Sequence, residues 1–138
     1  MCEPLKDKSI ALGVSGGIAA YKSVELLRLL TKAGARVRVI MTANAKWFVG
    51  PGTVQALSGQ PVCDSIFEEG DASIRHIDWA RESELAVIAP ATANIIGKLA
   101  GGIADDALST FMLAVTATVV ICPAMNTHMY EHPAVQRN

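Results

Sequence analysis

Residues 9–41 constrain the fold more than any other part of the chain. Ser9–Val14 is a short apolar run that leads into Gly13-Val14-Ser15-Gly16-Gly17, which reads as a buried strand entering a tight turn. Residues 18–33 then carry apolar side chains at helical spacing (Val24, Leu26, Leu27, Leu30), with Gly34 as the stop. Arg36–Met41 is a second strand, rich in β-branched residues. Strand, glycine turn, helix, glycine and strand together fill about 30 residues, the size of one βαβ unit.

The rest of the chain continues the alternation. A short helix is expected over 42–49, broken by Gly50-Pro51-Gly52, and a helical piece over 53–58, stopped at Gly59. Residues 63–75 are polar and read as loop-rich. A helix over 77–83 leads into a strand over 85–89, bounded by Pro90. Helices over 93–100 and 107–114 flank Gly101-Gly102, and 118–122 reads as a final buried strand bounded by Pro123. This order predicts an α/β fold: a parallel sheet with helices on both faces. Such sheets take ligands at the carboxyl ends of their strands, which singles out the loops after Val14, Ala89 and Cys122.

Bulk properties narrow the function. A chain of 138 residues suits one domain, 1–138. It is 51% hydrophobic and 18% charged, so it can bury a core and is not of disordered type. A net charge of −1 with no basic run argues against nucleic acid or acidic membranes as partners. Cys2, Cys63 and Cys122 are scattered, without metal-ligand spacing and in odd number. That argues against a zinc site or disulfide framework and suits a reduced, cytoplasmic protein. No signal-type segment and no apolar run approaching ~20 residues is present.

Four features could carry chemistry. The glycine turn permits close backbone approach, and the helix after it offers free N–H groups to a phosphate, with Ser15 as an added hydroxyl donor. It matches neither GxGxxG nor GxxxxGK, and an empty strand-to-helix turn competes with the ligand reading. Pro90-Ala91-Thr92-Ala93-Asn94 offers small residues with one hydroxyl and one amide, suited to a flat ring; by itself it reads as a helix start capped by Thr92. Pro123-Ala124-Met125-Asn126 offers an amide for a carboxylate, and by itself reads as another cap. His76 is the fourth, because a histidine titrating near neutrality can serve as a base, although a lone histidine is more often structural.

Taken together, GxSGGIAAYK, the histidine before a helix, PATAN, AGGIADD and PAMNxxMY resemble the flavin-dependent cysteine decarboxylase family, in the same order and over nearly the whole chain, from Ile10 to Asn138. The resemblance implies a Rossmann-like flavoprotein fold and FMN as cofactor. It implies Ser15, Gly16, Gly17 and Ile18 at the flavin phosphate and neighbouring atoms, Thr42 and Phe48 along the flavin, and Thr92 and Asn94 at its ring. Ser109 and Thr110 match a flavin-side segment. His76 matches the active-site histidine, and Asn126 the residue that holds the substrate carboxylate, with Ala124, Met125 and Met129 beside it. The nearer branch acts on 4′-phospho-N-pantothenoylcysteine in coenzyme A biosynthesis, often fused to a synthetase domain. Members are homotrimers, or dodecamers built from trimers, with FMN at a subunit interface. The family places a substrate clamp bearing a cysteine after PAMN; none of Cys2, Cys63 and Cys122 stands there, so a shortened domain without clamp or synthetase is expected.

Rival readings remain open. Peptidyl-cysteine decarboxylases share the scaffold and first chemical step, but the PAMN-MY and AAYK stretches favour the pantothenate branch. Flavin prenyltransferases share the fold without a recognisable prenyl-phosphate site here. A non-catalytic FMN-binding protein has no need of His76 and Asn126. A Rossmann dehydrogenase would close its second strand with an acidic residue, where Thr42 and Ala43 stand.

Overall fold

The computed structural model describes residues 3–65 and 72–138, and the side chains of all of these except 72–76. Four strands, β1 (Ser9–Val14), β2 (Arg36–Met41), β3 (Leu85–Ala91) and β4 (Thr118–Pro123), form a parallel sheet in the order β2-β1-β3-β4. The chain runs outward from β1 to β2 on one side of the sheet's centre and from β3 to β4 on the other. Because such crossovers share one hand, their helices fall on opposite faces.

The core divides accordingly. On one face Ile10, Leu12, Val14, Val37, Val39 and Met41 pack with Leu27 of α1 (Ala20–Lys32) and Val54 of α2 (Pro51–Ser58). On the other, Ala11, Ile40, Ala86 and Ile88 pack with Trp79 of α3 (Ala72–Glu82), Ile95 of α4 (Ala93–Gly101) and Phe111 of α5 (Ala107–Ala114). Successive residues of β1 serve opposite faces, as the period of two requires when both faces are covered. Arg38 stacks on the Trp79 ring at 5.4 Å and pairs with Glu82 at 2.5 Å, tying β2 to α3. Two short helices, α6 (Thr127–Glu131) and α7 (Pro133–Arg137), follow β4. No helix among the described residues is long and apolar enough to cross a membrane.

The fold corrects several expectations. α1 starts at Ala20 rather than residue 18, because Gly17-Ile18-Ala19 completes a turn first. The helix expected over 42–49 is a single 3-10 turn, Asn44–Trp47, that ends before Gly50, and α2 opens at Pro51, where the missing proline N–H costs nothing, rather than at residue 53. β3 passes through Pro90 to Ala91, with a cis Ala89–Pro90 bond and a register shift against β4. β4 is not buried: all six residues are exposed, because it is the last strand of the sheet and neither α6 nor α7 buries a residue. The opposite edge is better covered, with Cys63 bridging to Ile40 beside β2.

Where the two winding directions diverge, between β1 and β3, a single hydroxyl joins the strand ends. Ser15 Oγ donates to the Pro90 carbonyl at 2.5 Å and accepts the Thr92 N–H at 3.0 Å. The side chain is fully buried, so it competes with no water for these partners. Ser15→Ala leaves the Thr92 N–H without its acceptor and should cost about 1–3 kcal/mol in urea-unfolding free energy; an unchanged unfolding midpoint would show that this bond does not hold the loops together.

Candidate functional site

A crevice of about 1000 Å³ opens at the carboxyl ends of the strands, at the divergence point. This is at the upper end of the ~300–1,000 Å³ usual for ligand sites. Each strand contributes its following loop: Ser15–Ala19 after β1, Thr42–Asn44 after β2, Thr92–Ile95 after β3, and Ala124–Asn126 with Met129 after β4.

The first loop is shaped for an anion. Ala19, at the N-cap of α1, makes no side-chain capping bond, and the first turn holds no acidic residue. Within the turn the Gly17 N–H donates to Ser15 O at 3.2 Å and the Ala20 N–H to Gly17 O at 2.9 Å, while the Gly16 and Ile18 N–H groups and the positive dipole end are left to a ligand. The two glycines are needed for different reasons. A Cβ on Gly16 would lie 2.3 Å from the Asn44 Cβ and 2.7 Å from its carbonyl carbon, so the neighbouring loop demands glycine. A Cβ on Gly17 would touch only the Thr92 methyl, at 3.4 Å, so no clash inside the protein explains that glycine. Ser15 does not act as the donor expected from its type, since its proton already serves the Pro90 carbonyl.

The neighbouring loops present fixed polar groups. Thr42 receives β2 through its N–H, which donates to Val14 O at 3.0 Å, and its Oγ1 accepts the Ala45 N–H at 3.2 Å. Thr92 caps α4 by accepting the Ile95 N–H at 3.3 Å. Asn94 stands exposed in the first turn of α4 on the crevice wall. Asn126 caps α6: its Oδ1 accepts the His128 N–H at 2.9 Å, which leaves Nδ2 as a donor. The capping readings of Thr92 and Asn126 are therefore correct, and capping itself orients both side chains at the crevice.

Three expected residues lie elsewhere. Phe48 is half-exposed and outside the crevice lining. Ser109 is fully buried and committed to α5: it donates to Asp106 Oδ1 at 2.8 Å and accepts the N–H groups of Asp105 and Asp106. Thr110 Oγ1 is buried without a partner among the described residues and also lies off the lining. His76 belongs to α3, but its side chain lies outside the described residues.

Sequence reasoning missed Asn44, Lys98 and Asp106, which line the crevice. Lys98 contacts Asp105 at 2.8 Å and Asp106 at 3.1 Å. Hydrogen bonding to Asp105 foremost, opposed by partial burial, holds the ammonium above the ordinary lysine value. Burial pushes the Asp106 carboxyl up, but the Ser109 N–H and hydroxyl and the Lys98 ammonium outweigh it, leaving it below the ordinary range. Two spacings were legible: Lys98 lies four residues after Asn94, on the same helix face, and Asp106 three before Ser109, as a capping box requires. Among the described residues no cluster of His, Cys, Asp or Glu could hold a metal. The arrangement suits an organic ligand with a phosphate at one end, a flat body along the loops and a carboxylate within reach of Asn126.

Comparison with known proteins agrees with this geometry. The Flavoprotein family model matches residues 2–138. The chain is 56% identical over 135 residues to the coenzyme A biosynthesis bifunctional protein CoaBC of Bacillus subtilis, covering 97% of this chain and 33% of that protein. It is 49% identical over 135 residues to CoaBC of Escherichia coli, with the same 97% and 33% coverage. The chain thus spans about a third of the length of these curated relatives. Among solved structures, the FMN-dependent cysteine decarboxylase SpaF superposes with a TM-score of 0.87 at 34% identity, covering 96% of this chain and 77% of that one. A PPC decarboxylase variant complexed with pantothenoylaminoethenethiol gives 0.79 at 30% identity, with 96% and 74% covered. The chain belongs to the Flavoprotein family.

Proposed function

We propose that residues 1–138 form an FMN-binding decarboxylase domain that converts 4′-phospho-N-pantothenoylcysteine to 4′-phosphopantetheine in coenzyme A biosynthesis. The carrying observation is that a chain 56% identical to CoaBC gathers Ser15–Ile18, Thr92–Asn94 and Asn126 around one crevice.

The residues fit FMN. The uncapped start of α1 suits its phosphate, held by the amides of Gly16 and Ile18, and the free space over Gly17 lets it approach the backbone. Thr42 lines the path of the flavin, and Thr92 with Asn94 offers hydrogen bonds to the ring edge. Ser109 and Thr110 support this wall from behind, through the start of α5.

Losing CO2 from an N-acylcysteine leaves electrons with nowhere to go. When bound, FMN would supply a two-electron acceptor that turns the cysteine CH2–SH into a thiocarbonyl β to the carboxylate, able to receive those electrons, and would return the hydride after CO2 is lost so that the product ends as the thiol. The chain supplies the rest. His76 takes the thiol proton as general base. Asn126 donates Nδ2 to the carboxylate and orients the bond that breaks. Ala124, Met125 and Met129 form a mainly apolar wall beside it. A synthetase domain in the full-length protein would provide the substrate.

The active form is a homo-oligomer, a trimer or a dodecamer of trimers, with FMN at a subunit interface. Ile18, Tyr21, Trp47 and Phe48 support this: all are exposed, and all lie on or next to the two loops that meet at Gly16. In this reading Phe48 acts along the flavin of the assembled site. Exposed apolar side chains of this kind are typical of a surface that another chain covers.

Four outcomes test the reading. Gly17→Ala should weaken FMN binding about tenfold, equivalent to ~1.4 kcal/mol, with little change in apo-protein melting, whereas Gly16→Ala should lower both. Equal FMN affinity in Gly17→Ala and wild type would remove the phosphate seat from that turn. His76→Asn should retain FMN and its visible spectrum but release no CO2 from phosphopantothenoylcysteine; undiminished turnover would remove the base role. A C-terminal cysteine peptide turned over faster than phosphopantothenoylcysteine would move the protein to the peptidyl branch. Trp47→Glu should shift the light-scattering mass towards the monomer and reduce FMN retention; an unchanged mass would take Trp47 out of the interface.

A further inference from the structure

We propose that Lys98 is the charge-neutralising residue of the crevice, cancelling part of the negative charge that Asp105 and Asp106 would otherwise set against bound FMN. The inference rests on the FMN reading above and deepens it.

The argument starts from a conflict. Asp106 lines the crevice, yet it cannot leave, because it caps α5: its Oδ1 accepts the Ser109 N–H at 2.7 Å and the Ser109 hydroxyl at 2.8 Å. Those bonds also keep it ionised. Asp105, next in the chain, lies off the lining but is a second carboxylate on the same ammonium, 2.8 Å from Lys98 Nζ. One carboxylate on the wall of a site for a phosphate ester, with a second bonded to the same ammonium, opposes binding through like-charge repulsion.

Lys98 is the one cationic side chain on the crevice lining among the described residues. It bonds both carboxylates, at 2.8 and 3.1 Å, and its side chain is only 18% exposed. The three groups together carry one negative charge; without Lys98 they carry two. Its position follows from α4, which places it one turn beyond Asn94 on the crevice-facing side. The Lys98 contacts also cross the Gly101-Gly102 break between α4 and α5, so a purely mechanical strut is the competing role. Salt separates the two, because a charge effect is screened and a strut is not.

The test is FMN titration, followed by flavin fluorescence, at rising ionic strength. Lys98→Met should bind FMN about tenfold more weakly at low salt, with the deficit shrinking as salt is added. Lys98→Arg should restore wild-type affinity. Asp105→Asn, which removes one carboxylate and leaves Lys98 paired with Asp106, should bind at least as tightly as wild type. Equal affinity of Lys98→Met and wild type at low salt would overturn the proposal, as would a salt-independent deficit that arginine does not repair. Should Lys98→Met fail to fold, weaker binding by Asp105→Asn at low salt is itself decisive against it. Absence of FMN binding by the wild type would instead strike the cofactor reading.

Discussion

The site depends on the buried hydroxyl of Ser15. It bonds the Pro90 carbonyl and the Thr92 N–H, and so locks the end of β1 to the end of β3. These are the central strands, on which the chain winds in opposite directions, and the gap between their loops is what makes a crevice. Every other wall is placed relative to this joint. The β2 loop closes on it because Gly16 has no side chain to hold Asn44 away. α4 starts from it, with Thr92 serving both as the acceptor for the first turn and as a donor to Ser15.

Electrostatics divides the crevice into two regions. At the β1 loop an uncapped helix end presents amide donors without any acidic neighbour in the first turn. At the α4–α5 wall an ammonium and two carboxylates leave a negative excess. A ligand with a phosphate at one end therefore has one favourable orientation. Backbone dipoles bind the anion, and side-chain charge makes the other region unwelcoming to it. The Asn126 amide, neutral and pinned by its own cap, can hold a carboxylate without adding charge.

Much of this was legible in the chain. The βαβ unit was readable because alternation, helical spacing and glycine stops all agree over residues 9–41, and Gly34, Gly59 and Gly102 do take the positive φ expected of helix stops. Thr92 and Asn126 were readable as caps because capping is local. Misreadings came where local rules meet a tertiary context. Pro90 looked like a strand end, yet β3 continues because its neighbours supply the pairing. The apolar β4 looked buried, but burial depends on what packs against a strand, and here nothing covers its outer edge among the described residues. The Ser109 hydroxyl is given to the cap of α5.

The sequence by itself determined the fold class, three of the four crevice loops and the residue types able to meet a phosphate, a ring and a carboxylate. It did so because glycine turns, caps and hydrophobic periods act within a few residues. Only the tertiary structure decided which polar groups remain free for a ligand. Ser15 and Ser109 are equally able donors as residues, but each spends its proton on a partner, Ser15 on a carbonyl 75 positions away. Likewise Lys98 is an unremarked helix residue until folding sets it between Asp105 and Asp106 on the crevice wall. Hydrogen bonds and ion pairs are short-ranged and saturable, so their allocation follows from which segments meet, and the order of residues along the chain does not reveal it.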